Sequence, residues 1–128
     1  MGETLYTFTI THKFPSLNEV ISAAKKHWAV YAKMKREETA LVLKYVQSMM
    51  RMGMPKFNHL QIRLVFYEKM GGRARDWDNI TAAKKFILDG LVAGGCIADD
   101  SPKHIDAVYE QVIYSDDYCV RVELTGTV

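Results

Sequence analysis

The sequence has little with which to cross-link itself or to hold a soft metal. Cys96 and Cys119 are its only cysteines and make no C-x-x-C pair, so two reduced, structural thiols are expected. His12, His27, His59 and His104 are scattered with no i, i+4 pair, which argues against a zinc site of the usual kind. No apolar run approaches the roughly 20 residues of a membrane span. The opening M-G-E-T-L-Y-T-F-T-I places an acid where a signal peptide carries basic residues, and it alternates instead of running apolar. A cytoplasmic protein without a membrane partner is the expectation. A strong excess of one charge is missing too. A formal net charge of +2 neither demands nor excludes nucleic acid, so the distribution of charge matters more than its sum.

What is present is a chain of 128 residues, 48% apolar and 25% charged, enough for one core and too short for two. Residues 5–11 alternate with Tyr6, Phe8 and Ile10 on one face and threonines on the other, the pattern of a half-buried strand. Ser16 followed by Glu19 forms a capping-box signal, so a helical region should open near Leu17. From there to Met52 no Gly or Pro intervenes. That span predicts one long helix, or two joined by a kink around Ala32 to Arg36, closed by Gly53 and Pro55. Leu60, Ile62, Leu64 and Phe66 alternate as a second strand, broken by Gly71-Gly72. Residues 79–93 read as a helix with Ile80, Ala83, Ile87 and Leu91 on one face, ended by Gly94-Gly95. Residues 104–114 and 118–125 are β-rich runs around S-D-D and predict a hairpin. The order β-α-β-α-β-β predicts an α+β single domain over residues 1–128, helices packed on one mixed sheet.

The stretch G-G-R-A-R-D-W-D-N, residues 71–79, concentrates charge at the mouth of the second helical region. If residues 75–78 are extended, Asp76 and Asp78 point to one side and Trp77 to the other, where it packs. On a helical wheel Asp78, Lys85 and Asp89 share the exposed face, opposite the core stripe, and Lys84 lies beside that stripe. Carboxylates sharing a pocket repel one another unless a cation neutralises them, and oxygen-only ligands suit Mg²⁺ or Mn²⁺. Asp99 and Asp100 follow the Gly94-Gly95 break as a third source of carboxylate. Taken singly, Asp78 reads equally as an N-cap, Asp99 and Asp100 as a surface turn, and Asp89 as a solvated helix acid.

Together R-D-W-D-N, K-K-F-I-L-D-G-L and I-A-D-D resemble the RusA family of Holliday-junction resolvases, small metal-dependent endonucleases often carried by phages and prophages. F-P-S-L-N-E-V and A-K-M-K-R-E extend the resemblance over most of residues 14–105. It implies Asp76, Asp78 and Asp100 as metal ligands, with Asp99 the less favoured of its doublet, and Lys85 as the catalytic lysine. Lys85 lies two turns after Asp78, whereas the better-known bacterial pattern has its lysine about one turn on, so Lys84 stays open as the alternative. The doublet is followed by S-P-K, which departs from phage-type members.

The resemblance further implies Mg²⁺-dependent paired cuts in a four-way junction, in DNA recombination and repair, by a homodimer in a bacterial host. In that chemistry the metal polarises phosphoryl oxygens and lowers the pKa of a bound water, and Lys85 supports the pentavalent phosphate. Arg73 and Arg75 either hold the DNA backbone or screen the aspartates. A second basic group, Lys25, Lys26, His27, Lys33, Lys35 and Arg36, is interleaved with Trp28 and Tyr31, a mixture suited to phosphate contacts and base stacking but equally to a solvated helix face. Two alternatives accompany this reading: a DNA-binding module without cleavage, and a nuclease preferring flaps or other branched DNA.

Overall fold

The computed structural model describes residues 3–128; Met1 and Gly2, which open the stretch read against a signal peptide, lie outside the described residues. In chain order the elements are β1 (Thr4–Ile10), α1 (Leu17–Lys26), α2 (Trp28–Arg51), β2 (His59–Lys69), α3 (Trp77–Thr81), α4 (Lys84–Ala93), β3 (Ile105–Ser115) and β4 (Cys119–Thr127). The fold is α+β, with the helices packed on one four-stranded mixed sheet.

Local chemistry accounts for most element ends. The Ser16 hydroxyl accepts from the Glu19 amide at 3.1 Å while the Glu19 carboxylate accepts from the Ser16 amide at 3.4 Å, a closed capping box that starts α1. Gly53 (φ 111°) and Gly95 (φ 78°) take the left-handed conformations that stop α2 and α4. The long helical region does divide in two, but at His27 and not at Ala32 to Arg36. His27 is extended, and its Nδ1 accepts from the Ala29 amide at 3.1 Å, so the imidazole caps α2. Histidine is not among the common N-cap residues, and this break carried no Gly or Pro to announce it. The expected helix over 79–93 also divides, into α3 and α4, around Ala82 and Ala83.

The sheet order is β1-β4-β2-β3, with β4 antiparallel to both β1 and β2 and β3 parallel to β2. The expected C-terminal hairpin is therefore wrong. Residues 116–118 cross the end of β2 and deliver β4 into the gap between β1 and β2. Two strand spacings are roughly 9.5 Å, and four peptide steps reach further than that. β3 is left as an edge strand.

The even-numbered residues of β2 and β4 form the covered face. Ile62, Leu64, Phe66, Val122 and Leu124 pack there against Val42, Val46, Ile87 and Leu91 in one core. α4 lies very close to α2, because Gly90 and Gly94 stand one turn apart opposite Val42 and Val46. A β-carbon on Gly90 would collide with both Val42 Cβ and Val42 Cγ1. This contact fixes where α4 begins, and hence where Lys84 and Lys85 project. No helix among the described residues is long and apolar enough to cross a membrane.

Candidate functional site

α3 starts where the chain leaves β2 through the Gly71-Gly72 turn. Its N-cap is Asp76, not Asp78: the Asp76 carboxylate accepts from the Asn79 amide at 3.0 Å, and Asp78 falls in the first turn. Both carboxylates are exposed. Because residue 77 is already helical, Trp77 does not pack on the opposite side as expected, and it is 57% exposed. The Asn79 side chain accepts from the Asn18 amide at 3.0 Å, fastening α3 to the first turn of α1.

Arg75 and Arg73 go separate ways. Arg75 donates from Nε and Nη2 to the two Glu68 oxygens, each at 2.8 Å, and from Nη1 to the Phe14 carbonyl at 3.2 Å. Its side chain is 14% exposed and that of Glu68 only 7%. The hydrogen bond to Glu68 is the main cause holding the guanidinium pKa above its ordinary value. Arg75 is thus committed to β2 and to the segment before α1, so the expectation that it holds a DNA backbone is corrected. Arg73 is exposed, and with Lys13, Asp76 and Asn79 it lines a polar cleft of about 510 Å³. Lys13 carried no signal in the sequence. Its ammonium sits 4.6 Å from the centre of the Tyr118 ring, a partner brought from the far end of the chain.

The two lysines that open α4 also diverge. Lys84, with its side chain 43% exposed, pairs with Glu110 of β3 at 3.4 Å. Lys85 is exposed and meets Asp89 at 3.1 Å and Asp100 at 3.8 Å. The hydrogen bond that Lys85 donates to Asp89, then the charge of that carboxylate, raises the Lys85 pKa above the ordinary value, with Asp100 adding to the effect. Asp99 instead accepts from the Ser101 hydroxyl at 2.6 Å and from its amide at 2.9 Å, shaping the turn; those bonds lower its pKa. The loop after Gly95 therefore brings Asp100, and not Asp99, to the lysine.

Among the described residues, no three His, Cys, Asp or Glu side chains converge as a metal-holding cluster. Asp100 stands beside Lys85 instead of closing a three-acid shell with Asp76 and Asp78. The donors still fit a hard cation, because Mg²⁺ is commonly held by one or two carboxylates plus waters and substrate phosphates. Asp76 and Asp78 are both exposed carboxylates at the start of α3, but because α3 opens at Trp77 the extended segment expected to aim them to one side is not formed. Both thiols are free, and burial pushes the Cys96 pKa up to about 12, so neither adds a soft ligand.

The second basic group is not one face. Lys25 and Lys26 end α1 and line a groove with Asn18 and Ile21. Lys33 is engaged with Glu37 at 3.8 Å, and Lys35 and Arg36 border an apolar groove with Tyr31 on α2. Trp28, at 74% exposure, belongs to no core.

No family model matches the chain, and no curated protein matches it. Among solved structures it is similar to the hydrogenase maturation protein HypE (10% identity, TM-score 0.41) and to HypE of E. coli (10%, 0.41). It is similar also to a HypE–HypF complex (16%, 0.36). These matches cover 98–100% of this chain, which spans about a third of theirs (32–33%). Likeness this weak assigns no function to the chain. These solved structures are hydrogenase maturation proteins, not junction resolvases. The RusA-family assignment is corrected accordingly, and with it go Holliday-junction resolution, the branched-DNA partner, and the flap-nuclease and binding-only alternatives. The motifs that carried it have local causes here: a helix cap at Asp76, an ion pair at Lys84 and a turn at Asp99.

Proposed function

We propose that the face carrying Asp76, Asp78, Lys85 and Asp100 is a divalent-cation-dependent phosphodiester-hydrolysing site, with DNA as its polymer. The observation that carries this reading is the approach of Asp100 to Lys85, fifteen residues earlier in the chain. It gathers an exposed cation and a distant carboxylate onto the helix that follows the Asp76/Asp78 turn. Stability does not account for the arrangement, since exposed ion pairs of this kind contribute little to it.

Asp76 and Asp78 would hold Mg²⁺ or Mn²⁺. The bound ion would supply charge neutralisation at the phosphate and a water of lowered pKa. Lys85, kept protonated by Asp89 and Asp100, would neutralise charge developing on the phosphoryl oxygens. Lys85 stands in the first turn of α4, the helix that follows α3, and meets Asp89 one turn further on. Arg73, with no ion pair among the described contacts, would engage an adjacent phosphate. Arg75 orients the turn without touching substrate. The homodimer was expected only from the two-fold symmetry of a junction, and a single cut needs one site.

The test is incubation of single-stranded and duplex DNA with the protein in Mg²⁺, in Mn²⁺ and in chelator. Cation-dependent cutting is expected, lost in Asp78→Asn while that variant keeps its melting temperature. Absence of cutting on both substrates with either cation would overturn the reading.

A further inference from the structure

We infer that the exposed face of α1 is a track for a single nucleic-acid strand, leading from the Asp76 cleft to a stacking platform at Trp28. The inference rests on the proposed hydrolytic site as the origin of the track, and it adds the form of substrate that site receives.

Asn18, Ile21, Ser22, Lys25 and Lys26 recur at helical spacing along one side of α1 and line an open groove of about 390 Å³. Asn18 also lines the cleft that contains Lys13, Arg73 and Asp76, so the two depressions adjoin at that residue. The Asn18–Asn79 hydrogen bond fixes this junction to the first turn of α3. No acid lines the groove beyond Asn18, and Lys25 and Lys26 form no ion pair among the described residues. Both lysines end a helix whose C-terminal carbonyls favour positive charge, so they are stable there without a carboxylate partner.

At the far end His27 breaks the helix, and the chain turns. Trp28 begins α2 with its ring centre 5.5 Å from that of His27 at an angle of 34°. The indole is 74% exposed, the largest exposure of any aromatic side chain here. A duplex hides its base faces inside the stack, whereas an unpaired base offers one to an exposed indole. The charged rim favours a polyanion, and one indole with Ile21 is too little apolar surface to seat a lipid bilayer. From Asn18 to Lys26 the helix rises about 12 Å, or three to four stacked nucleotides at ~3.4 Å each. Trp28 thus receives a base about four nucleotides from the scissile phosphate.

The experiment uses a fluorescein-labelled dT12 oligonucleotide, its binding followed by anisotropy across a salt series, and its cleavage followed in Mg²⁺. Trp28→Ala should weaken binding about 5- to 150-fold, the range for loss of one base–aromatic stack. Lys25→Ala with Lys26→Ala should reduce the salt slope by about 1.4, two phosphate contacts on single-stranded DNA. Wild-type affinity in Trp28→Ala, an unchanged salt slope, or preference for anionic vesicles over dT12 would overturn the track. Binding that depends on Trp28, without cutting by the wild-type protein, would overturn the hydrolytic reading and leave the groove assigned. Asp78→Asn, which should bind dT12 as the wild type does, separates the two.

Discussion

Two carboxylate–cation clusters flank the Asp76/Asp78 turn, and they differ in almost everything but charge. On one side Arg75 is locked to Glu68 by two 2.8 Å bonds, with both side chains nearly out of solvent. On the other side Lys85 stands 58% exposed between Asp89 and Asp100 at 3.1 and 3.8 Å. Geometry explains the choice of residue. A guanidinium can satisfy a carboxylate fork and still donate to the Phe14 carbonyl, so none of its charge is left uncompensated on burial. An ammonium on a flexible stem has no such match and keeps its freedom to move. The first cluster holds the turn in place; the second remains available to a ligand.

Removing one member of the buried pair should have the largest effect. Glu68→Ala leaves the Arg75 guanidinium without its partner, and truncation of this kind costs about 3–5 kcal/mol. Denaturant unfolding should show the loss directly. Replacing both partners, Glu68→Leu with Arg75→Met, should restore most of the stability, because the uncompensated charge goes with the pair. If Glu68→Ala unfolds at the wild-type midpoint, the two clusters do not differ in the way argued.

The exposed cluster should behave in the opposite manner. Lys85→Ala is expected to change stability by no more than about 0.5 kcal/mol. Its cation-dependent cleavage should fall roughly 10²–10³-fold, as when one charge-stabilising donor is removed. A melting curve and a single-turnover assay on the same preparation separate these effects. Lys84→Ala supplies an internal control one residue away. Its pair with Glu110 is only partly buried, so a loss of roughly 0.5–1 kcal/mol with little change in cleavage is expected. Equal loss of cleavage in the two variants would break the distinction between them.

What the sequence disclosed follows the range of the forces involved. Ser16 and Glu19, Gly53 and Gly95, and the alternation of Ile62, Leu64 and Phe66 act within a few residues, and each stands where its pattern placed it. Strand order is a long-range choice, and S-D-D looks the same whether the next strand folds back on β3 or crosses β2 to pair with β1. The His27 break was hidden because an imidazole replaced the usual capping hydroxyl. At the site, the wheel placed Lys85 outward, but nothing local showed that Arg75 would turn in to Glu68 or that Lys13 would stand over Tyr118. Those contacts join residues 7 and 105 positions apart in the chain. The family-like motifs failed for a related reason. Capping aspartates, amphipathic lysines and Asp-Asp-Ser turns are short solutions to common local problems, and they recur without common descent.

The smallest effect is also the most direct measure of how the two clusters differ, because only one of them titrates within reach. Arg75 stays charged at every accessible pH, with Glu68 raising a pKa that is already high. The Lys85 pKa lies above the ordinary 10.5, first through the Asp89 hydrogen bond and then through charge. Its interaction with Asp89 and Asp100 is therefore intact below that value and is lost as pH rises through the folded pKa. The exposure of the ammonium means that solvent and salt screen this interaction, so the observable is the titration itself and not global stability. Following the ¹³Cε resonance of Lys85 from pH 9 to 12 should give a midpoint above 10.5 in the wild type. Asp89→Asn should lower it, and Asp100→Asn should lower it less, in the order of their distances from Nζ. A midpoint that Asp89→Asn leaves unmoved would mean that Lys85 is not held by the acids beside it, and the contrast with Arg75 would reduce to burial alone.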